Sequence, residues 1–404
     1  MLEISPPNIT VIVLDTMRFD EFAKIARNRN RLDMDGFLVI DKCIAPSSWT
    51  LPSHASLFTG EYPKDHGAHE TRKIKALDID KVKLKKRTFV SDLSRLGYHT
   101  YGISANPYVH PIYGFNEFDV FIEESYYTDI AGHTIEIPKR IKPIVTRYRD
   151  RYNGNFIKIG MAMLRDDPGL ITEIVGLPEV GLLTLNNILK KIKAKAIDGW
   201  PLEKGGANIV KNVKKLCLAE PFFLFINLME AHDPYISGKG KDMKWYTSFL
   251  KNGPEMELID RWKRLYSKGA SKAYNYAIDI VSDLVSRFGR NQTVIITSDH
   301  GQEFNEHGFI GHGSFLHDEI IRVPFAVMLP EGYSRTPGNG YVSLTNIKRY
   351  VLSVAAGNRS SLRKLFSKAV YAENFGVPSD FRFVNGIDAR KLESAEHYTR
   401  RVFR

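Results

Sequence analysis

Three short and almost wholly apolar runs, each followed by polar residues, constrain the fold of this chain more than any other feature. They are Ile9 to Leu14, Phe222 to Leu228 and Thr293 to Thr297, and Pro324 to Leu329 forms a fourth apolar segment. Runs of this length that are rich in β-branched and aromatic residues are typical of strands buried on both faces of a parallel sheet. We therefore expect strands here, with clusters of polar side chains at their carboxyl ends.

Between these strands the apolar residues recur at intervals of three and four, which predicts amphipathic helices. The segments are Phe89 to Leu96, Ala207 to Leu218 and Ala273 to Phe288. Alternating strands and helices predict an α/β fold with a doubly wound, mostly parallel sheet flanked by helices. Ligands of such sheets bind in the crevice outside the carboxyl ends of the strands, where Asp15, His232 and Asp299 are expected.

The domain organisation follows from where this alternation stops. The segment 126–201 is basic and punctuated by proline and glycine, and we interpret it as an insertion that could cover the active site. After about residue 378 the periodicity fades, which predicts a C-terminal arm over 378–404. The prediction is thus one catalytic domain over 1–377 that carries the insertion, followed by the arm.

Charge and cysteine content narrow the partners only slightly. The chain has 57 Lys and Arg against 46 Asp and Glu, a net charge of +11 that suits a small anionic substrate, and we interpret its basic runs as solvated faces, so nucleic acid is not expected. Cys43 and Cys217 have no metal-type spacing, which favours a reducing compartment. No apolar run reaches membrane-spanning length, and the N-terminal run lacks a basic region before it, so a cytoplasmic protein is expected.

The sharpest chemical signal is the stretch SDHGQEFNEHGFIGHG. Asp299 and His300 follow a predicted strand directly, and His307 and His312 return within a glycine-rich loop. Carboxylate oxygens and imidazole nitrogens are ligands for divalent metals. Four such residues within fourteen positions favour metal binding over a set of ordinary polar loop residues.

Thr50 lies in a turn that leads into a short helix ending at Gly60. Free N–H groups and the helix dipole favour negative charge at a helix N-terminus, which would assist both an ionised hydroxyl and an anionic ester. The alternative makes Thr50 an ordinary N-cap residue with Pro52 in the first turn. The residues alone leave both interpretations open.

Two further pieces are ambiguous in isolation. Asp15 follows the first strand and precedes Arg18 and Asp20, a pattern that also fits a helix cap beside a local ion pair. His232 follows the strand ending at Leu228, and most isolated histidines are structural. At one sheet edge with Asp299, however, His232 becomes a candidate second-metal ligand or proton donor to a leaving group.

Four motifs follow one another along the chain: LDTMRFD, WTLPSHASLFTGEYP, the HDPY segment, and SDHGQEFNEHGFIGHG followed by RVPFAVMLP. In this order they resemble the sulfatase-like branch of the alkaline phosphatase superfamily, from Asn8 to about Gly357. The resemblance implies a divalent metal held by Asp15, Thr50, Asp299 and His300, with Thr50 as the nucleophile. It also implies that His232 and His312 are catalytic residues that bind a second metal or orient the substrate, and that Asn106 contacts the substrate.

The chain also departs from the sulfatase pattern. Sulfatases carry Cys or Ser in C-x-P-x-R, which is oxidised to formylglycine, whereas this chain has Thr50 and, at the arginine position, His54. Thr16 replaces the second of the paired aspartates that follow the first strand. Relatives with a threonine nucleophile include phosphodiesterases, phosphonate hydrolases and phosphoethanolamine transferases. We therefore expect His54 and Arg18 to bind an anionic ester substrate, with phosphorus favoured over sulfur.

The resulting hypothesis is a metal-dependent hydrolase or transferase of phosphate or sulfate esters that forms a covalent intermediate on a metal-activated Thr50. The cofactor is expected to be one or two ions of Zn²⁺, Mn²⁺, Ca²⁺ or Mg²⁺. One alternative is a sulfuric ester hydrolase that works without formylglycine. A second is a non-catalytic anion-binding protein, whose binding would depend steeply on salt and little on metal. The sequence leaves the oligomeric state open.

Overall fold

The computed structural model describes residues 6–29, 36–124, 203–233, 235, 255–376 and 400–403. A seven-stranded sheet forms its centre, in the order β2-β10-β7-β1-β6-β4-β5. These strands are β1 (Asn8–Leu14), β2 (Leu38–Ile40), β4 (His99–Ser104), β5 (Val120–Glu123), β6 (Phe222–Leu228), β7 (Gln292–Thr297) and β10 (Phe325–Met328). The predicted 126–201 insertion lies outside the described residues.

Five neighbouring strands, from β7 to β5, run parallel, whereas β10 runs antiparallel to both β7 and β2. The α/β fold with a mostly parallel sheet is therefore confirmed. Every residue of β1, β6 and β7 is buried, as their continuous apolar sequences predict. The short β2, β4 and β5 were not predicted, because weaker apolar runs such as HTYGIS do not stand out from their surroundings.

Alternate residues of the strands face two separate cores. On β1, Ile12 and Leu14 belong to one core, and Val11 and Val13 belong to the other. Burial of each such side chain contributes about 1.5–3 kcal/mol relative to its exposure. A parallel sheet needs a helical layer on each face for this reason.

The helices supply both layers. They are α1 (Phe19–Arg29), α2 (Thr50–Thr59), α3 (Pro63–His66), α4 (Ile79–Val82), α5 (Phe89–Arg95), α6 (Gly206–Lys215), α7 (Met256–Phe288), α8 (Asp318–Ile321) and α9 (Asn346–Ala355), with 3₁₀ turns at Pro111–Tyr113 and Ser361–Leu365. None of the helices in the described parts of the chain is long and apolar enough to cross a membrane.

Helix α7 has 33 residues, about twice the length of the predicted segment that began at Ala273. The first half of this helix was not predicted, because it contains Gly269 and glycine is a poor helix former. The structure explains why a glycine lies within this helix: a Cβ atom on Gly269 would lie 2.2 Å from the backbone oxygen of Glu230. Glycine is therefore required by the close packing of α7 against the segment that follows β6.

The remaining strands form three small sheets. These strands are β3 (Cys43–Ile44), β8 (Glu303–Phe304), β9 (Ile310–Gly311), β11 (Tyr341–Ser343), β12 (Phe366–Ser367), β13 (Tyr371–Asn374) and β14 (Arg400–Phe403). The β8–β9 hairpin follows the Asp299–His300 pair and precedes His312. Within the predicted C-terminal arm, β14 pairs antiparallel with β13.

Candidate active site

Parallel strands bring the polar residues of distant motifs to one sheet edge. Strand β1 lies between β6 and β7, and Val13 pairs with Asn227 on one side and Thr297 on the other. Asp15 follows β1, and the Asp299–His300 pair follows β7. Together with Thr50 they form a set that we call the inner cluster: Asp15, Thr50, Asp299 and His300. All four residues are at most 3% exposed.

The turn after β1 is strained and held by the inner cluster. Thr16 has a φ of 64°, which is unusual for a β-branched residue. Its N–H donates to Oδ1 of Asp299 at 3.2 Å and its hydroxyl donates to Oδ1 of Asp15 at 2.9 Å. Backbone strain of this kind persists where the surroundings fix it, and it is concentrated at functional sites. Thr16, which replaces an aspartate of the sulfatase pattern, therefore serves here to position two carboxylates.

Thr50 is the first residue of α2 and not its cap. The N-cap residue is Trp49, whose side chain makes no capping hydrogen bond. The Thr50 hydroxyl instead lies 3.3 Å from Nε2 of His300 and accepts a hydrogen bond from Nδ2 of Asn106, also at 3.3 Å. The N-cap interpretation of Thr50 is therefore wrong. The hydroxyl faces the cluster at the positive end of the helix, and its role as a nucleophile stays a prediction.

Two asparagines fix the Asp15 carboxylate. Nδ2 of Asn106, just beyond β4, donates to Oδ2 of Asp15 at 2.8 Å, and Nδ2 of Asn227 in β6 donates to the same oxygen at 3.1 Å. The predicted substrate contact of Asn106 stays a prediction, whereas its bonds to Asp15 and Thr50 are observed. The contact of Asn227 with Asp15 was not predicted, although a lone polar residue in an apolar strand is a usable signal.

His54 is completely buried beneath the cluster. Its Nδ1 lies 2.9 Å from the backbone oxygen of Thr50 and 3.6 Å from Oδ2 of Asp299, and its Nε2 lies 3.3 Å from Nδ2 of Asn227. These contacts suit a residue that positions Asp299. Substrate binding by His54 stays a prediction, and the buried imidazole gives it no additional support.

The inner cluster fits a divalent cation. One ligand atom each from Asp15, Asp299 and His300 lie within 4.8 Å of one another. Oδ2 of Asp299 is buried and has no hydrogen-bond partner. Burial, and then the adjacent charge of Asp15, raise the pKa of Asp299 well above its usual range. A buried, unpartnered carboxylate oxygen beside a second carboxylate is costly unless a cation compensates it.

The other members have the protonation states that metal ligands need. Burial opposes ionisation of Asp15, but His232, His300 and His54 outweigh it and lower the pKa of that carboxyl. Burial lowers the pKa of His300 to about 4, so its imidazole is neutral at pH 7. An ionised carboxylate and a neutral imidazole are the forms that coordinate metals.

His232 and His312, the predicted catalytic or second-metal histidines, lie beside the inner cluster. The ring of His312 stacks on that of His300 at 4.4 Å between centroids and meets that of His232 at 4.9 Å. With Asp233 they form a second group whose ligand atoms lie within 4.8 Å of one another. Gln302 holds His312 through a 2.7 Å contact between Oε1 and Nδ1. Asp233 and Gln302 were missed because neither residue is distinctive without its neighbours in space.

The two imidazoles differ electrostatically. Burial opposes protonation of His232, but Asp233, whose Oδ1 lies 2.8 Å from Nδ1, outweighs it and raises the pKa of His232 to about 9. Burial, and then His300 and His232, lower the pKa of His312 well below its usual range. A protonated His232 suits proton donation, whereas binding of a second metal requires the neutral form.

Arg18, a predicted substrate residue, points its guanidinium at carboxylates. It donates to Asp20 at 2.8 and 2.9 Å, to Glu306 at 2.7 Å and to the backbone oxygen of Gln302 at 3.1 Å. These bonds fix the end of β1 to the loop after β7. The two carboxylates also neutralise the positive charge of Arg18 that would attract an anionic substrate. Substrate binding by Arg18 therefore stays a prediction with no added support.

Comparison with known proteins identifies the family of the chain. A sequence model of the Sulfatase family matches residues 7–357. The uncharacterized sulfatase YidJ of Escherichia coli (strain K12) is 26% identical over 140 residues, which are 29% of this chain and 28% of that protein. The aligned part thus spans less than a third of this curated relative.

Several solved structures share the fold. The phosphonate monoester hydrolase of Agrobacterium radiobacter is similar with a TM-score of 0.59 at 14% identity, covering 98% of this chain and 85% of that one. The 2-O GAG sulfatase BT1596 has a TM-score of 0.57 at 14% identity, covering 93% and 79%. The C-terminal periplasmic domain of EcEptC from Escherichia coli, in complex with Zn, has a TM-score of 0.53 at 11% identity, covering 95% and 96%. With the family match over most of its length, the chain belongs to the Sulfatase family, in the sulfatase-like branch of the alkaline phosphatase superfamily.

Proposed function

We propose that this protein is a metal-dependent hydrolase of phosphate esters that uses Thr50 as its nucleophile. The observation that carries the proposal is the position of the Thr50 hydroxyl, 3.3 Å from Nε2 of His300 at the N-terminus of α2. This hydroxyl faces a cluster of carboxylates and an imidazole that is suited to a cation.

Asp15, Asp299, His300 and Thr50 would hold the metal. The two carboxylates and the imidazole match the preferences of Zn²⁺ and Mn²⁺ better than those of Ca²⁺. When bound, such an ion supplies Lewis acidity that lowers the pKa of a hydroxyl and stabilises charge on an ester oxygen. Asn106 donates to both Thr50 and Asp15, and it would keep the nucleophile and the ligand in a fixed relation.

The remaining chemistry is assigned to the chain's own residues. Oγ1 of Thr50 attacks phosphorus, the bond to the ester oxygen breaks, and a phosphothreonine forms. The free N–H groups at the start of α2 stabilise the phosphoryl oxygens. The proton of the Thr50 hydroxyl is released to solvent, and His232, held by Asp233, donates a proton to the departing alcohol. Water then attacks the phosphothreonine and the bond from phosphorus to Oγ1 breaks. One water proton returns to His232, Thr50 regains its hydroxyl proton from solvent, and hydrogen phosphate leaves.

A sulfate ester is the second candidate substrate, because the matching family model and the curated relative are both described as sulfatases. Phosphate is favoured over sulfate since threonine cannot be oxidised to the formylglycine aldehyde. The same site could also transfer the phosphoryl group to an alcohol, in which case an added acceptor would raise the rate of turnover.

The test is a substrate and metal matrix on the purified chain. Aryl phosphate, aryl phosphodiester, aryl phosphonate and aryl sulfate are each assayed with Zn²⁺, Mn²⁺, Mg²⁺ or Ca²⁺. We expect phosphorus esters to dominate, and Thr50→Ala to lower turnover by about 10³-fold or more while Thr50→Ser keeps part of it. Acid quenching of the wild type followed by peptide mass spectrometry should find phosphate on Thr50.

Other outcomes would redirect the proposal. Dominant aryl sulfate turnover that depends on Thr50 would assign a sulfatase. Near-normal activity of Thr50→Ala would exclude this nucleophile. Absence of turnover with all four esters, combined with anion binding that is steep in salt and indifferent to chelators, would indicate a binding protein.

A further inference from the structure

A second group of potential metal ligands lies on the β8–β9 hairpin and the start of α8. We call it the outer cluster: Glu303, His307, His317 and Glu319. Nδ1 of His317 lies 2.9 Å from Oε1 of Glu303, and Nε2 of His307 lies 2.9 Å from Oε2 of Glu319. The two imidazole rings are 4.1 Å apart between centroids. One ligand atom each from Glu303, His307 and His317 lie within 4.8 Å of one another.

The burial of Glu303 makes the outer cluster more than a pair of surface contacts. Its side chain is 1% exposed, whereas that of His307 is 44% exposed. Burial, and then Glu319 and Glu306, raise the pKa of Glu303 to about 8. Of the neighbouring cations, Arg18 binds Asp20 and Glu306, and Lys263 lies 3.5 Å from Glu306. Glu303 therefore contributes a buried carboxyl group whose contact in the cluster is the imidazole of His317, and His307 is reached from solvent.

We propose that Glu303, His307 and His317 form a second zinc site. Two imidazoles and one carboxylate are a recurrent zinc-binding set, and this combination disfavours Mg²⁺ and Ca²⁺, which take oxygen ligands. Glu319 binds His307 and orients its ring, as carboxylate partners of metal-binding histidines do. Phe315, whose ring is nearly parallel to that of His317 at 5.4 Å, restricts the orientation of the second imidazole.

Zinc at this position would fasten the hairpin to α8. The loop between the two metal sites already packs against α8, because Gly301 donates to the backbone oxygen of Ile320 at 2.6 Å and Gln302 donates to that of Glu319 at 3.0 Å. A Cβ atom on Gly301 would lie 2.1 Å from the same oxygen of Glu319. Because this loop connects His300 to His312, the outer site would stabilise the segment that carries the catalytic histidines without contacting substrate.

The experiment separates the two sites by binding and not by activity. The full chain is stripped with a chelator and titrated with Zn²⁺ alone, in the wild type and in Asp299→Asn, which weakens the inner cluster. Bound zinc is counted by elemental analysis after gel filtration, and the Tm is measured with and without zinc. In the Asp299→Asn background we expect zinc binding and a zinc-dependent rise in Tm to remain. When His307→Gln and His317→Gln are added, zinc binding and the rise in Tm should each require at least about tenfold more zinc.

His99→Gln, at an exposed residue outside both clusters, is the matched control and should change neither quantity. The proposal is overturned if the His307→Gln, His317→Gln variant keeps the zinc stoichiometry and the Tm shift of its parent. A measurement on the wild type covers the case in which that variant does not fold. Zinc should protect His307 and His317 from diethyl pyrocarbonate modification in peptide mass spectra, and equal modification with and without zinc would also exclude the site.

Discussion

The inner and outer clusters use the same residue types in different ways. The inner cluster takes Asp15, Thr50 and the Asp299–His300 pair from three distant parts of the sequence and buries all of them. The outer cluster takes its members from the single stretch 303–319 and leaves His307 half exposed. Carboxylates and imidazoles of the outer cluster form hydrogen bonds at 2.9 Å, whereas Oδ2 of Asp299 makes no hydrogen bond and lies 3.3 Å from Nε2 of His300 and 3.6 Å from Nδ1 of His54.

This difference agrees with the two proposed roles, which are chemistry for the inner cluster and stability for the outer cluster. A local stretch can place ligands close together at little cost, since only a short loop must be ordered. Ligands from separate strand ends require the whole sheet to form first, and they then have little freedom to adjust. Such rigid placement is what a nucleophile and its activating groups need. The same rigid placement leaves one carboxylate oxygen of Asp299 without a hydrogen bond.

Asp299→Asn is the change with the largest expected effect on this contrast between the two clusters. It removes a charge that burial and Asp15 oppose, so we expect the metal-free protein to become more stable, with a Tm higher by a few degrees. Turnover should fall by about 10³-fold because the neutral amide is a poor metal ligand. Thermal unfolding after chelator treatment, alongside ester hydrolysis, measures both effects. His317→Gln is the matched change in the outer cluster and should lower turnover far less than Asp299→Asn does. A metal-free Asp299→Asn protein less stable than the wild type would show that the carboxylate is not strained.

Glu70 sharpens the comparison because it is a buried carboxylate outside both clusters. It accepts hydrogen bonds from Nε1 of Trp49 and, at 3.4 Å, from the N–H of Phe375, but burial still raises its pKa to about 7. The folded state therefore binds the Glu70 proton more tightly than the unfolded state. The stability that results is complete below about pH 4.5 and is lost as the pH rises through about 7.

Glu70→Gln should remove this loss. The difference in the free energy of unfolding between the variant and the wild type should increase, in favour of the variant, by up to about 3 kcal/mol from pH 5 to pH 8. Denaturant unfolding at both pH values gives the quantity, and Glu61→Gln, at a partly exposed carboxylate paired with Lys86, is the control. Parallel pH dependence in Glu70→Gln and the wild type would mean that Glu70 ionises normally in the folded protein.

Asn106→Ala tests the positioning of the inner cluster with the smallest expected effect. The change removes one of two amide donors to Asp15, and Asn227 remains. Loss of such a supporting bond typically weakens metal affinity or activity 10–100-fold. If Asn106 acts through Asp15, metal affinity and kcat should fall together. If it contacts substrate as the sequence predicts, KM should rise while metal affinity stays at the wild-type value.

Several members of the inner cluster could be predicted to lie together, because each follows an element that the local sequence indicates. Asp15 and the Asp299–His300 pair directly follow buried strands, and parallel strands bring their carboxyl ends to one edge by geometry alone. The central strands were equally predictable, since continuous apolar runs have few other stable environments. The antiparallel direction of β10 was not, because an apolar run carries no information about its partner.

The sequence by itself determined which strands are buried, which polar residues follow them and that the chain resembles the sulfatase-like branch. Tertiary structure alone decided what each polar side chain faces. It directed Arg18 towards Glu306, 288 positions away, and it placed Asn227 on Asp15 and His54 beneath Asp299. It also set the opposite pKa shifts of His232 and His312. The physical reason is that burial and through-space charge depend on neighbours in three dimensions, whereas backbone preference and hydrophobic pattern are already present in the local sequence.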